Sequence, residues 1–192
     1  ISVRITNNKV WNTSFFLADP SGVYLENNSQ IGKSHLVSTS SEITIAMRDA
    51  KAGDTIVVRG GSYMAPPTGW QFASSDVTLT NYPGEQVTFS SQSKVSGNYI
   101  IKCLQTSPNA NNNRIIGTNI AGKPGIVMTG EDLGIAPAIV SYHCDGWEIY
   151  GVEFKKVGYG IFQRKVNNGA TSSDSWYVHN NLVSDYFRES GM

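Results

Sequence analysis

The chain has 192 residues, with 15 basic and 15 acidic side chains, and a formal net charge of +0. Charged residues make up 16%, against roughly 25% in ordinary soluble domains, and no basic cluster stands out; both argue against nucleic acid as a partner, because phosphate binding needs concentrated positive charge. No apolar run approaches the roughly 18 residues that span a bilayer, and Ser, Thr, Asn and Gly stand where charges are missing, a surface suited to a secreted β-rich protein that handles sugars or solid material.

In chain order, Ile1, Val3 and Ile5 alternate with polar residues and predict a first strand that stops at Asn7-Asn8. Trp11 to Gln30 reads as irregular, with a turn at Asp19-Pro20-Ser21-Gly22 and a short strand at Val23-Tyr24-Leu25. Ser40-Ser41-Glu42 offers a helix cap, and Ile43, Met47 and Ala50 fall on one face, so one short helix is expected over 42–51. Residues 1–40 thus read as an N-terminal strand and irregular cap, and residues 41–192 as a series of strand repeats whose open end the helix would cover.

The repeats show in four apolar strand centres, Leu79, Ile115, Ile149 and Val178, spaced 36, 34 and 29 residues apart. A repeat of 20 to 50 residues made of single strands and turns is the signature of a solenoid. Short runs at 55–59, 70–72, 77–80, 86–89, 99–103, 114–116, 125–129, 138–142, 147–150, 152–154 and 160–163 supply the strands. Polar excursions at 107–113 and 166–175 interrupt them, and tight hairpin signals are scarce. The expected fold is all-β: a right-handed parallel β-helix with a short N-terminal capping helix. Met192 follows the pattern without a cap. The chain therefore reads as the N-terminal portion of a longer helix, or as one that stacks on a companion chain.

The opening Ala50-Lys51-Ala52-Gly53-Asp54-Thr55-Ile56-Val57-Val58-Arg59-Gly60-Gly61-Ser62-Tyr63, with Asn81-Tyr82-Pro83-Gly84-Glu85 and Val87-Thr88-Phe89, resembles secreted right-handed parallel β-helix proteins of the pectate-lyase-like superfamily. It is similar to the opening of chondroitinase-B-like and alginate polysaccharide lyases. The resemblance covers roughly residues 40 to 191 and implies an extracellular protein that acts on or binds an acidic polysaccharide. In such lyases a base removes the C5 proton of a uronate while a cation, often calcium, neutralises its carboxylate. No Glu-x-Glu calcium pair followed by a catalytic Lys matches here, so no residue of that family is carried over.

Read from the residues alone, Tyr150 and His179 should stack on one outer face if neighbouring repeats align, with Arg114 or Ile116 nearby. Tyr150, His179, Lys156 and Arg188 form the candidate catalytic group. His143, Glu148, Glu153, Lys155, Arg164 and Lys165 are further polar neighbours, and all of these equally suit a solvated outer face. Trp70, Trp147 and Trp176 read as core or corner residues rather than sugar platforms, and Asp145-Gly146-Trp147 and Asp174-Ser175-Trp176 as one recurring corner. No cofactor motif is evident; calcium on the corner aspartates is the one metal reading. Cys103 and Cys144 are either two buried thiols or a disulfide between neighbouring repeats. A second class of function remains open: a non-catalytic structural or adhesive β-helix that assembles end to end.

Overall fold

The computed structural model describes residues 3–6, 9–12, 23–26, 29–91, 99–103, 110–130, 137–142, 144–164 and 175–185. Four strands, β1 (Val3–Thr6), β2 (Lys9–Asn12), β3 (Val23–Glu26) and β4 (Ser29–Val37), precede a helix, α1 (Ser40–Asp49). Then come β5 (Thr55–Val58), β6 (Gly61–Met64), β7 (Thr78–Asn81), β8 (Val87–Ser90), β9 (Ile101–Cys103), β10 (Arg114–Ile116), β11 (Ile126–Thr129) and β12 (Pro137–Tyr142). The series closes with β13 (Glu148–Tyr150), β14 (Val152–Lys155), β15 (Tyr159–Arg164), β16 (Tyr177–His179) and β17 (Leu182–Ser184).

The pairings between these strands are all parallel. A seven-stranded sheet runs β16-β13-β10-β7-β5-β4-β2, a five-stranded sheet β17-β14-β11-β8-β6 and a three-stranded sheet β15-β12-β9, while β1 pairs with β3. Successive strands change sheet: β7, β8 and β9 enter the seven-, five- and three-stranded sheets in turn, and β10 to β12 and β13 to β15 repeat the circuit. A chain that returns to each sheet in the same direction must pair in parallel, and must bury the face that all three sheets share.

The register stacks like on like. Ile56, Leu79, Ile115, Ile149 and Val178 are partners across β5, β7, β10, β13 and β16. Tyr63, Phe89, Met128, Phe154 and Val183 form the matching column of the five-stranded sheet, and Ile101, Ile139 and Ile161 that of the third. The middle of each column is buried in one common core. Each such aliphatic side chain contributes roughly 1.5–3 kcal/mol on leaving water.

Two polar devices hold the circuits at a fixed pitch. The residue two positions before each of β5, β7, β10, β13 and β16 takes a positive φ: Gly53 (90°), Asp76 (57°), Asn112 (55°), Gly146 (69°) and Ser175 (64°). Their spacing is that of the strands, so the sharp corner recurs once per circuit, and the sequence places Gly, Asp, Asn or Ser where a bulky side chain would be strained. Asparagines then bridge circuits. Asn81 Oδ1 accepts the amide of Thr118 (2.7 Å), Asn111 Oδ1 that of Asp145 (3.0 Å) and Asn181 Oδ1 that of Val152 (2.9 Å).

Helix α1 begins two residues earlier than the sequence suggests, because its cap is Thr39, ahead of the Ser40-Ser41-Glu42 stretch. The Thr39 hydroxyl accepts the Glu42 amide (3.1 Å), and the Glu42 carboxylate accepts the Ser38 amide (2.7 Å). Ile43, Ala46 and Met47 are buried against the core, as is Ala50 at the C-cap, and Trp70 Nε1 donates to Thr44 Oγ1 (3.0 Å). Residues 29–37, where no strand is expected, form β4, which pairs with both β2 and β5. Residues 70–72, expected as a strand, contribute only an isolated bridge from Trp70 to Ile101. Trp70 and Trp147 lie in the core; Trp147 stacks on Trp176 with ring centroids 5.2 Å apart and meets Phe72 edge-on. Cys103 and Cys144 are joined as a disulfide with Cα atoms 6.2 Å apart.

Candidate functional site

On the side of the seven-stranded sheet opposite the Ile115–Ile149–Val178 column, alternation leaves two outer columns. One carries Arg114, Glu148 and Tyr177, the other Ile116, Tyr150 and His179. A spacing of about 4.8 Å between strands brings these side chains into contact. The His179 ring lies between two tyrosines, 5.0 Å from the Tyr150 centroid and 4.0 Å from that of Tyr177, tilted by 46° and 39°.

A charged chain crosses the same strands. Arg114 Nε donates to Glu148 Oε2 (2.6 Å), and Glu148 Oε1 lies 3.2 Å from His179 Nε2. Burial works to raise the Glu148 pKa, but the hydrogen bonds from Arg114 and His179 outweigh it and hold the carboxyl below its ordinary range. His179 Nδ1 lies 3.4 Å from the Asn180 side-chain amide. Tyr177 is the most exposed ring of the group, at 61%.

Beside this array is a groove of about 330 Å³ lined by Asn119, Gly122, Pro124, Tyr150, Asn180 and Leu182, with Gly117 and Gly151 among its walls. A Cβ on Gly151 would stand 2.0 Å from the Gly117 carbonyl oxygen, so the wall there must be bare backbone. Among the described residues, no charged side chain lines it. Tyr150 belongs to both features and joins them into one surface.

The structure therefore brings Tyr150 and His179 together, with Arg114 linked to them through Glu148. Lys156 is elsewhere: it follows β14 of the five-stranded sheet, in a turn with φ 51°. Arg188, His143 and Lys165 lie outside the described residues, as does Asp174 of the proposed calcium corner, and Arg164 ends β15 of the three-stranded sheet. Lys155 Nζ stands 4.0 Å from Asp185 Oδ2. Among the described residues, no three His, Cys, Asp or Glu side chains converge as metal ligands, and no helix is long and apolar enough to cross a membrane. Tyr177 is the residue that sequence reasoning missed. The signal was there: positions 177 and 179 flank inward Val178, so both must face outward.

Comparisons with protein-family models, with curated proteins and with solved structures find no match to this chain. Function must be argued from the surface itself.

Proposed function

We propose that the three parallel sheets are the faces of a right-handed parallel β-helix, and that the protein is extracellular and holds an acidic polysaccharide across the outer face of β10, β13 and β16. The observation that carries this reading is the contiguous ring array Tyr177–His179–Tyr150 beside an amide-lined groove. Sugar rings present apolar C–H faces that pack on aromatic rings, their hydroxyls pair with amides, and a uronate carboxylate pairs with a cation. Arg114 is half-exposed, and its bond to Glu148 uses Nε, so its terminal nitrogens are not committed to that carboxylate.

The same groups suit a lyase-like elimination. A neutral His179 would take the C5 proton of a uronate, the electrons of that bond would form the C4=C5 double bond, and the C4–O bond would break. The Tyr150 hydroxyl would then give its proton to the departing oxygen. The reading is tested by titrating pectate, alginate and chondroitin into the protein and following ultraviolet absorbance for the unsaturated product. Saturable binding of one polymer is expected, with absorbance growth that His179→Ala abolishes. No binding to any of the three overturns the proposal, whereas binding without product restricts it to a binding protein.

A second reading, end-to-end assembly as a structural or adhesive protein, draws on one observation. Val178 and Val183, on the outermost strands β16 and β17, are 48% and 59% exposed, although their in-register partners Ile149 and Phe154 are buried. Sedimentation at rising concentration separates the two readings; a monomer at the highest concentration rules out assembly.

A further inference from the structure

We infer that Glu148 is a positioning residue: its carboxylate fixes the His179 ring with Nε2–H as a donor, so that Nδ1 is the nitrogen available to take a proton or a ligand's hydrogen bond. The inference deepens the proposed function and rests on the reading of this face as the ligand site.

The Glu148 carboxylate divides its oxygens, Oε2 to Arg114 and Oε1 to His179. An ionised carboxylate only accepts, so the ring nitrogen facing it must carry hydrogen. The bond from Arg114 favours the ionised form, and the three residues come from three successive in-register strands, β10, β13 and β16. With Nε2 committed, a neutral ring has its lone pair at Nδ1. That atom faces Asn180, whose amide is 3.4 Å away and which lines the groove together with Tyr150. A contact of that length is readily displaced by a ligand. The basic nitrogen thus stands at the groove's edge, and the anchored one points to Glu148. Among the described residues, the titratable and charged groups around the ring are Glu148 and Tyr150 from β13, Tyr177 from its own strand, and Arg114 behind Glu148. A carboxylate that only packed on the sheet would leave the tautomer free; a positioning carboxylate sets it.

The test reads the ring directly. The chain has 3 histidines, so ¹⁵N-histidine labelling with a His179→Gln variant assigns the signals. At a pH where the ring is neutral, the wild-type protein should show His179 as the Nε2–H tautomer alone. The Nδ1–H form should appear in Glu148→Ala and disappear again in Glu148→Asp. An Nδ1–H ring in the wild type overturns the inference, and so does a tautomer unchanged in Glu148→Ala. A tetragalacturonate titration then addresses the ligand separately: shifts at Nδ1 and not at Nε2 support both claims. The expected tautomer with no shift at either nitrogen sustains the positioning role and removes polygalacturonate as the ligand of this face.

Discussion

Asn113 reaches back 36 residues to Val77: its side-chain carbonyl accepts the Val77 amide at 2.8 Å, while its own amide donates to the Ala110 carbonyl at 3.0 Å. The side chain is fully buried, directly after the left-handed corner at Asn112. It supplies the partner of the buried Val77 amide and a second donor to the Ala110 carbonyl, which also accepts from Trp147 Nε1 at 2.6 Å. Asn113→Leu fills the volume but removes both bonds. The expected loss is about 1–3 kcal/mol, the cost of leaving the buried Val77 amide unpaired, measured as a lower midpoint in urea unfolding. A change under about 0.5 kcal/mol would mean that neighbouring groups replace the bonds.

The Cys103–Cys144 disulfide closes a loop with a sequence separation of 41. Chain-entropy arithmetic for a loop of that size gives about 4 kcal/mol at 25 °C. Both half-cystines are buried in the core, so the Cys103→Ala/Cys144→Ala protein also loses packing. It should unfold at markedly lower urea than the wild type. Equal midpoints for the oxidised protein and this double variant would show that the bridge adds nothing to stability.

The corner column makes opposite predictions at two of its positions. Gly146 has φ 69°, a conformation strained for any L side chain, and a Cβ there would also push aside the Asn112 side-chain oxygen, so Gly146→Ala is strained through its backbone. It should cost about 1–3 kcal/mol. Ser175 holds a similar φ, 64°, with a side chain already present. Ser175→Gly relieves that conformation and should be neutral or stabilising by up to about 1 kcal/mol, the unfolded-state entropy of glycine offsetting part of the gain. Thermal unfolding of the pair checks both signs.

The parallel register was legible in the sequence where the pitch selects residue type on both sides of a corner. Leu79, Ile115, Ile149 and Val178, aligned by pattern alone, are in-register partners, because an aliphatic side chain and a preceding corner residue are needed once per circuit. Strand β4 was not legible for the converse reason. Its position in the inner column is His35, opposite Ile56, and a histidine there is tolerable only because Asp54 lies 2.9 Å from its Nε2. No local pattern announces such a pair. Strand β6 was obscured by Gly60-Gly61, which reads as a turn, although Tyr63 alone carries its inward face. At the site, the stacking of Tyr150 on His179 followed from alternation. The Glu148–His179 link did not, because it runs diagonally between the two outer columns and depends on side-chain reach, whereas Arg114 and Glu148 are direct register partners.

Tyr177 stacks closer to His179 than Tyr150 does, and it presents the larger exposed face. If the array is a sugar platform, Tyr177→Ala should weaken polysaccharide binding about 2- to 13-fold, the range for losing an aromatic contact of about 0.5–1.5 kcal/mol. Tyr177→Phe should bind as the wild type does, since the ring face and not the hydroxyl makes the contact. Calorimetric titration distinguishes them. Equal loss in the two variants would assign the contact to the hydroxyl.

Acid should destabilise the fold through three carboxylates. At Asp54 burial acts to raise the pKa, but the hydrogen bonds from His35 and from the Lys51 and Lys33 amides outweigh it, so the net shift is downward. Glu85 is lowered by the Arg59 guanidinium and the Gly60 amide, and Glu148 is held down as described above. For each group the folded-state pKa lies below the unfolded value, so the unfolded chain binds more protons as pH falls. Their contribution is complete above the ordinary carboxylate range of about 4 and is lost as pH drops through the folded-state values. Urea unfolding at about pH 6, 4 and 3 should therefore show a falling midpoint. Asp54→Asn should be weaker at pH 6 and lose less between pH 6 and 3, because its amide cannot titrate. A midpoint independent of pH in the wild type would mean that these hydrogen bonds do not favour the ionised forms.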